Sequence, residues 1–211
     1  MTEIIDQKIK ESLENSFSYL EYRKLVSDLA EKGETTGVEQ SPAFINYTRL
    51  NDRRMKRWDK TLKFSDEVIE KIKSVEQQVT WLVLTESWCG DASPALPVMH
   101  KIAELNPNIT LSIILRDENL DIMNQFLTNG SMSIPKLISI DDFEGRVNIT
   151  WGPRSMKATQ LVDDYKKEHG QLTPEFKQDL QVFYNKDKGQ SILKDLLRLF
   201  PLKLISNSTL L

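Results

Sequence analysis

The sequence predicts an α/β protein with a mixed sheet flanked by helices, extended by further helices at both ends. Three observations predict it. Two short apolar, β-branched runs, 79–86 and Ile109–Leu115, have buried-strand character and are separated by a segment of helical spacing. Two more strand-like runs, 136–140 and Arg146–Trp151, flank residues 142–145, which suit a tight antiparallel hairpin. Helical periodicity then resumes over 155–169. The order β-α-β-α-β-β-α calls for a sandwich of helices on a sheet with parallel and antiparallel pairs.

Taken in order, Ile5, Ile9, Leu13, Phe17 and Leu20 recur every three or four residues and predict one amphipathic helix. Gly33 and Gly37 end the pattern in a loop. Ser41-Pro42 opens a second helix with Pro42 at its first position. A basic run follows at Arg49, Arg53, Arg54, Lys56 and Arg57, and Ser65-Asp66-Glu67 is the acidic start of another helix. Between the first two strands, Leu96, Met99, Ile102 and Ala103 keep helical spacing until Asn106-Pro107-Asn108. Residues 119–127 predict a helix closed by Asn129-Gly130. After Gly170, Leu172-Thr173-Pro174-Glu175 starts a helix, and Ile192, Leu193, Leu196 and Leu197 form the apolar stripe of a further one. The organisation expected is a helical N-terminal extension over 1–78, an α/β core over 79–170 and a helical C-terminal extension over 171–211.

Composition narrows the function. Apolar residues make up 39% of the 211 and charged residues 28%, enough to build a core rather than a disordered chain. A net charge of −3 provides no field to attract nucleic acid or an anionic membrane. The apolar run Trp81-Leu82-Val83-Leu84 is far short of the roughly 20 residues that span a bilayer. The N-terminus lacks the basic and apolar regions of a secretory signal, and a single cysteine allows no intrachain disulfide, so a cytoplasmic setting is expected. Two histidines and one cysteine are too few to argue for zinc, and no metal or cofactor is called for.

The chemistry is concentrated in Trp88-Cys89-Gly90-Asp91-Ala92, at a strand-to-helix junction. A helix N-terminus favours a thiolate and can lower a cysteine from about 8.5 into a range of roughly 3.5–7.5, whereas the neighbouring Asp91 carboxylate opposes ionisation, and the sequence leaves open which effect wins. Gly90 allows close backbone approach, and Trp88 can cover one side of the sulfur. Pro135, after Ile134 and before a strand, is expected to follow a cis bond that presents a bare carbonyl edge beside the thiol.

Residues 79 to 169 resemble the thioredoxin superfamily. The resemblance rests on Trp88-Cys89-Gly90, on Pro97 eight residues after Cys89, on Ile134-Pro135 and on the element order. More finely, the chain is similar to bacterial thioredoxin-like proteins that carry a long helical N-terminal extension and a Trp-Cys-Gly-Asp motif. The resemblance implies that Cys89 is the attacking cysteine, framed by Trp88, Gly90 and Asp91. It also implies that Ile134 and cis-Pro135 hold an extended peptide or a small thiol. Two positions depart from the family pattern. Its second, resolving cysteine falls on Ala92, and its buried acid falls on Val83.

Those departures exclude an intramolecular dithiol cycle, so the expected activity is monothiol exchange with a protein disulfide or a low-molecular-weight thiol, resolved by an external thiol. The alternative is a redox-inactive binding module that uses the groove near Pro135. Alanine for a resolving cysteine is also a substrate-trapping device, so the sequence leaves the origin of Ala92 open. The remaining polar residues have plainer readings. The basic run reads as a solvated helix face partly offset by Asp52 and Asp59, with a cation beside Cys89 as the sharper alternative. His100 lies three turns along its helix, too far to serve as a base. His169 is a favourable cation at a helix end, and Arg154 reads as a surface residue, with contact to a substrate carboxylate as the sharper alternative.

Overall fold

The computed structural model describes residues 7–200. Its element order is α1 (Gln7–Glu14), α2 (Tyr19–Lys32), α3 (Pro42–Thr61), α4 (Asp66–Lys73), β1 (Val79–Thr85), α5 (Ala92–Leu105), β2 (Ile109–Leu115), α6 (Leu120–Met123), β3 (Lys136–Asp141), β4 (Arg146–Trp151), α7 (Met156–His169), α8 (Pro174–Asp187) and α9 (Gln190–Leu197). The strands form one mixed sheet in the order β2-β1-β3-β4. β1 runs parallel to β2, with Val79 opposite Ile109, and antiparallel to β3, with Val83 opposite Leu137. β3 and β4 form the antiparallel hairpin, with a register shift between Ser139 and Ile140.

β1 is the centre of the core. Trp81, Leu82, Val83 and Leu84 are fully buried, so side chains on both faces of the strand are covered. That explains why its sequence reads as a continuous apolar run rather than an alternation. α5 supplies Leu96, Val98, Met99 and Ile102 to the same core, and α9 adds Ile192, Leu193 and Leu196. Pro97 lies inside α5 and is buried there.

The single N-terminal helix expected through Leu20 is two helices instead. Ser18 caps α2 reciprocally with Glu21: the Ser18 side chain accepts from the Glu21 N–H, and the Glu21 carboxylate accepts from the Ser18 N–H at 2.8 Å. The freed segment pairs Phe17 with Ile113 through two backbone hydrogen bonds of 2.8 Å. This bridge covers the outer edge of β2, which would otherwise present unpaired N–H and C=O groups. The break also turns Leu20 outward, where it is exposed rather than part of the apolar stripe. Ile5 lies outside the described residues.

The second difference is the helix expected over 119–127. Only Leu120–Met123 is helical. Asn119 makes no side-chain capping bond, and the chain then turns so that Thr128 and Ser131 pair across Asn129 and Gly130, both at positive φ.

Burial separates two apolar residues of similar hydrophobicity. Leu82→Ala is expected to cost about 2–5 kcal/mol in urea denaturation, because it empties a site with no solvent access. Phe143→Ala, at the 96% exposed tip of the hairpin, is expected to stay within about 0.5 kcal/mol of the parent.

Candidate functional site at the turn between β1 and α5

The turn from Glu86 to Asp91 carries Cys89 out of β1 and into α5. Its backbone closes with the Cys89 N–H donating to the Glu86 carbonyl at 3.0 Å, and the Ser93 hydroxyl donates to the Gly90 carbonyl at 2.8 Å. The N-terminal helices grip the turn at Ser87. The Ser87 hydroxyl lies 2.8 Å from the Thr48 hydroxyl and 3.0 Å from that of Thr35, and it accepts from the Thr36 N–H at 3.0 Å. The Asn51 amide donates to the Ser87 carbonyl at 2.9 Å. These residues are buried, so each bond is made out of competition with water.

Cys89 is buried, 6% exposed as a residue. Its thiol donates to the Ile134 carbonyl at 3.3 Å, and the Ile134–Pro135 bond is cis, as expected from the sequence. Ile134 is buried beside the sulfur, at the entry to β3. Gly152 packs on the same proline: at its φ of 116°, a Cβ would run into the Pro135 carbonyl oxygen.

Asp91 takes the N-cap position of α5 but makes no capping bond with its side chain. The carboxylate is engaged elsewhere. Arg154 Nη2 lies 2.7 Å from Oδ2, and the Tyr184 hydroxyl donates to Oδ1 at 2.8 Å. Arg154 is therefore a partly buried ion-pair partner in the site, not the surface residue expected. It comes from the turn after β4, and Tyr184 from α8. Gln181, one turn earlier in α8, donates to the Gly90 carbonyl at 3.4 Å.

These surroundings decide the state of the thiol. Burial, reinforced by the Asp91 carboxylate, pushes the Cys89 thiol up to about 12. The Ala92 and Asp91 N–H groups and the Arg154 guanidinium pull the other way without prevailing. Of the two effects opposed in the sequence, the helix terminus is outweighed by desolvation together with Asp91. Burial also raises Asp91, against the pull of Arg154, Tyr184 and Arg54. Burial pulls Arg154 down, but Asp91 and Tyr184 more than offset this and leave it raised.

The cation facing the sulfur is thus Arg154 rather than a member of the basic run. Arg54 reaches the flank of Gly90 and donates to the Asn51 side chain at 3.0 Å. Asp52 and Asp59 both pair with Arg23 of α2 at 3.2 Å. Trp88 stacks on Phe44 at 4.5 Å, with the Arg116 guanidinium over its ring. His100 stacks on Tyr19 at 4.1 Å and lies 3.4 Å from Glu104, while His169 lies beside Tyr165 at the end of α7.

Val83 is a core residue of β1, but a buried acid is present nearby at Glu86. It is fully buried, burial raises its pKa, and it accepts from the Asp117 N–H at 2.9 Å. Sequence reasoning missed Glu86, Tyr184 and Gln181. A charged residue closing the most apolar strand was a signal for the first, whereas α8 carries no motif that points to Asp91.

This arrangement is a strand–Cys–helix junction facing a cis-proline across a four-stranded mixed sheet. Residues 37–166 match the sequence profile of a family described as thioredoxin. The chain belongs to the thioredoxin family. The matched region includes α3 and α4 as well as the sheet. Two solved structures share the fold. One is a protein of unknown function from Pseudomonas aeruginosa, 20% identical with a TM-score of 0.56, covering 87% of this chain and 96% of its own. The other is an HIV epitope-scaffold, 19% identical with a TM-score of 0.55, covering 82% of this chain and 95% of its own. No curated protein matches the chain in sequence. Among the described residues no helix is long and apolar enough to cross a membrane, and no group of three or more potential ligands could hold a metal ion.

The direction of the Cys89 shift sets its pH dependence. A thiol raised to about 12 is almost wholly protonated at neutral pH, so iodoacetamide alkylation should rise about tenfold per pH unit with no plateau at the free-thiol value of about 8.5. Asp91→Asn removes the like charge and leaves Arg154 in place, so the profile should move to lower pH; a rate followed by mass spectrometry checks both.

Proposed function

We propose that this protein is a monothiol member of the thioredoxin family that carries out thiol–disulfide exchange through Cys89. The observation that carries this reading is the 3.3 Å approach of the Cys89 sulfur to the Ile134 carbonyl, at the N-terminus of α5. A substrate strand laid along Ile134 and Pro135 would bring its own sulfur to that atom, with Trp88, Gly90 and Asp91 forming the near wall. The Trp-Cys-Gly-Asp motif and the helical N-terminal segment support the finer placement among bacterial thioredoxin-like proteins of that type. A reducing cytoplasm suits one unpaired cysteine.

The chemistry has two balanced steps. The Cys89 thiol gives up its proton to solvent, and the thiolate attacks one sulfur of a protein or small-molecule disulfide. That bond breaks, the second sulfur leaves as a thiolate, and a mixed disulfide with Cys89 remains. Ala92 offers no internal nucleophile. An external thiol therefore attacks the mixed disulfide, forms a new disulfide with the bound sulfur and releases Cys89. Reduction of the substrate is driven by that external thiol.

The burial of Cys89 and its raised pKa favour a second reading, a redox-inactive module whose Pro135 groove holds a partner peptide. Incubation with oxidised glutathione separates the two. Monothiol exchange predicts a single adduct at Cys89 by mass spectrometry, discharged by added thiol, with no reduction of insulin by the parent protein. Absence of any adduct up to about pH 9.5 would sink it. Ala92→Cys is expected to form a disulfide with Cys89 and to gain insulin reduction, since position 92 is the first residue of α5.

A further inference from the structure

We infer that α8 is an autoinhibitory cap, and that Cys89 becomes reactive only when this helix lifts from the turn. The inference concerns the regulation of the site described above and rests on the monothiol reading for its purpose, though not for its geometry.

Two contacts seat α8 on the reactive turn. Tyr184 donates to Asp91 at 2.8 Å and Gln181 donates to Gly90 at 3.4 Å, so the residues following Cys89 are each held by a side chain one helical turn apart. Tyr184 is buried, and its burial together with Asp91 and Cys89 raises its pKa. Tyr22 of α2 is buried, and Cys89 acts electrostatically on its ionisation. Of the two helices, α2 is fixed by the Ser18–Glu21 capping box, the Asp52 and Asp59 ion pairs of Arg23, and extensive packing on α3. It cannot move without opening the core.

α8 is held quite differently. Leu180 and Tyr184 are the buried residues of its 14, whereas α9 buries five of eight, including four aliphatic side chains. α9 packs broadly on α5 and α7, and α8 has no helix or strand partner of comparable extent. Its ends are also suited to a local opening. Gly170 precedes it at φ 78°, and Lys188 and Gly189 follow at φ 53° and 76°, so a turn of left-handed backbone separates α8 from each neighbouring helix. An element that buries two of its 14 residues, beside an α9 that buries five of eight, is the kind that opens locally at a fraction of the global cost. Lifting it would break the hydrogen bonds to Asp91 and Gly90 together with the Arg57–Asn185 hydrogen bond, the Tyr165–Phe176 stack and the seating of Phe176, Leu180 and Phe183 on the core, and would return water to Cys89. Since burial is the main cause of the raised thiol, the same movement would bring the thiol back toward its ordinary range.

The test uses the full chain and N-ethylmaleimide. Parent protein is expected to alkylate far more slowly than urea-unfolded protein at the same pH. Tyr184→Phe removes a hydrogen bond to a charged group and should raise the rate about tenfold. Gln181→Ala removes a weaker, uncharged contact and should raise it a few-fold. In both variants amide exchange should accelerate in α8 and remain unchanged in β1 and α2. A parent rate equal to that of unfolded protein overturns the cap, as do parent-like rates in both folded variants. If the variants alkylate faster yet form no adduct with oxidised glutathione, the cap stands and the monothiol function falls.

Discussion

The turn between β1 and α5 is gripped from two directions by hydrogen bonds, and the exposure of Cys89 follows from that grip. On one side Thr35, Thr36, Thr48 and Asn51 converge on Ser87. On the other, Tyr184 and Gln181 reach Asp91 and Gly90. A thiol caught between them loses water on nearly every side. Desolvation then exceeds what a helix N-terminus can supply, because the terminus acts through a few N–H groups while burial removes the whole hydration shell of the anion.

The two grips differ in kind. The N-terminal one is a network of small hydroxyls buried between helices that also pack on one another, so it shares the stability of the core. The C-terminal one is a pair of long side chains from a helix whose buried residues are Leu180 and Tyr184, with Phe176 and Phe183 half-buried against the core. Asp91 links the two halves of the second grip. By pairing with Arg154 and Tyr184 it gives up the capping bond its position would normally make, and its charge is spent on tertiary contacts instead of on the start of α5.

Much of the fold was legible because its signals are local. The apolar run at Trp81–Leu84, the strand-like runs flanking the hairpin turn, Ser41-Pro42 and Ser65-Asp66-Glu67 each report a preference of a few neighbouring residues. Where the reading failed, a non-local contact won. Phe17 leaves the helical periodicity to pair with Ile113, although Ser18 and Glu21 had carried a readable capping box. Residues 124–127 leave theirs to enter the turn that joins Thr128 to Ser131.

For the site, the sequence by itself determined the cysteine, its place at a strand-to-helix junction, the proline opposite and the lack of a resolving thiol at Ala92. These are matters of residue identity and spacing. Tertiary structure alone decided how that cysteine behaves. Arg154 and Tyr184 lie 65 and 95 residues from Cys89, counting 154 − 89 and 184 − 89, and nothing local marks either as its neighbour. Ionisation depends on every charge and every excluded water within a few ångströms, whichever part of the chain supplies them, so the protonated, covered state of Cys89 is written in the packing and not in the motif.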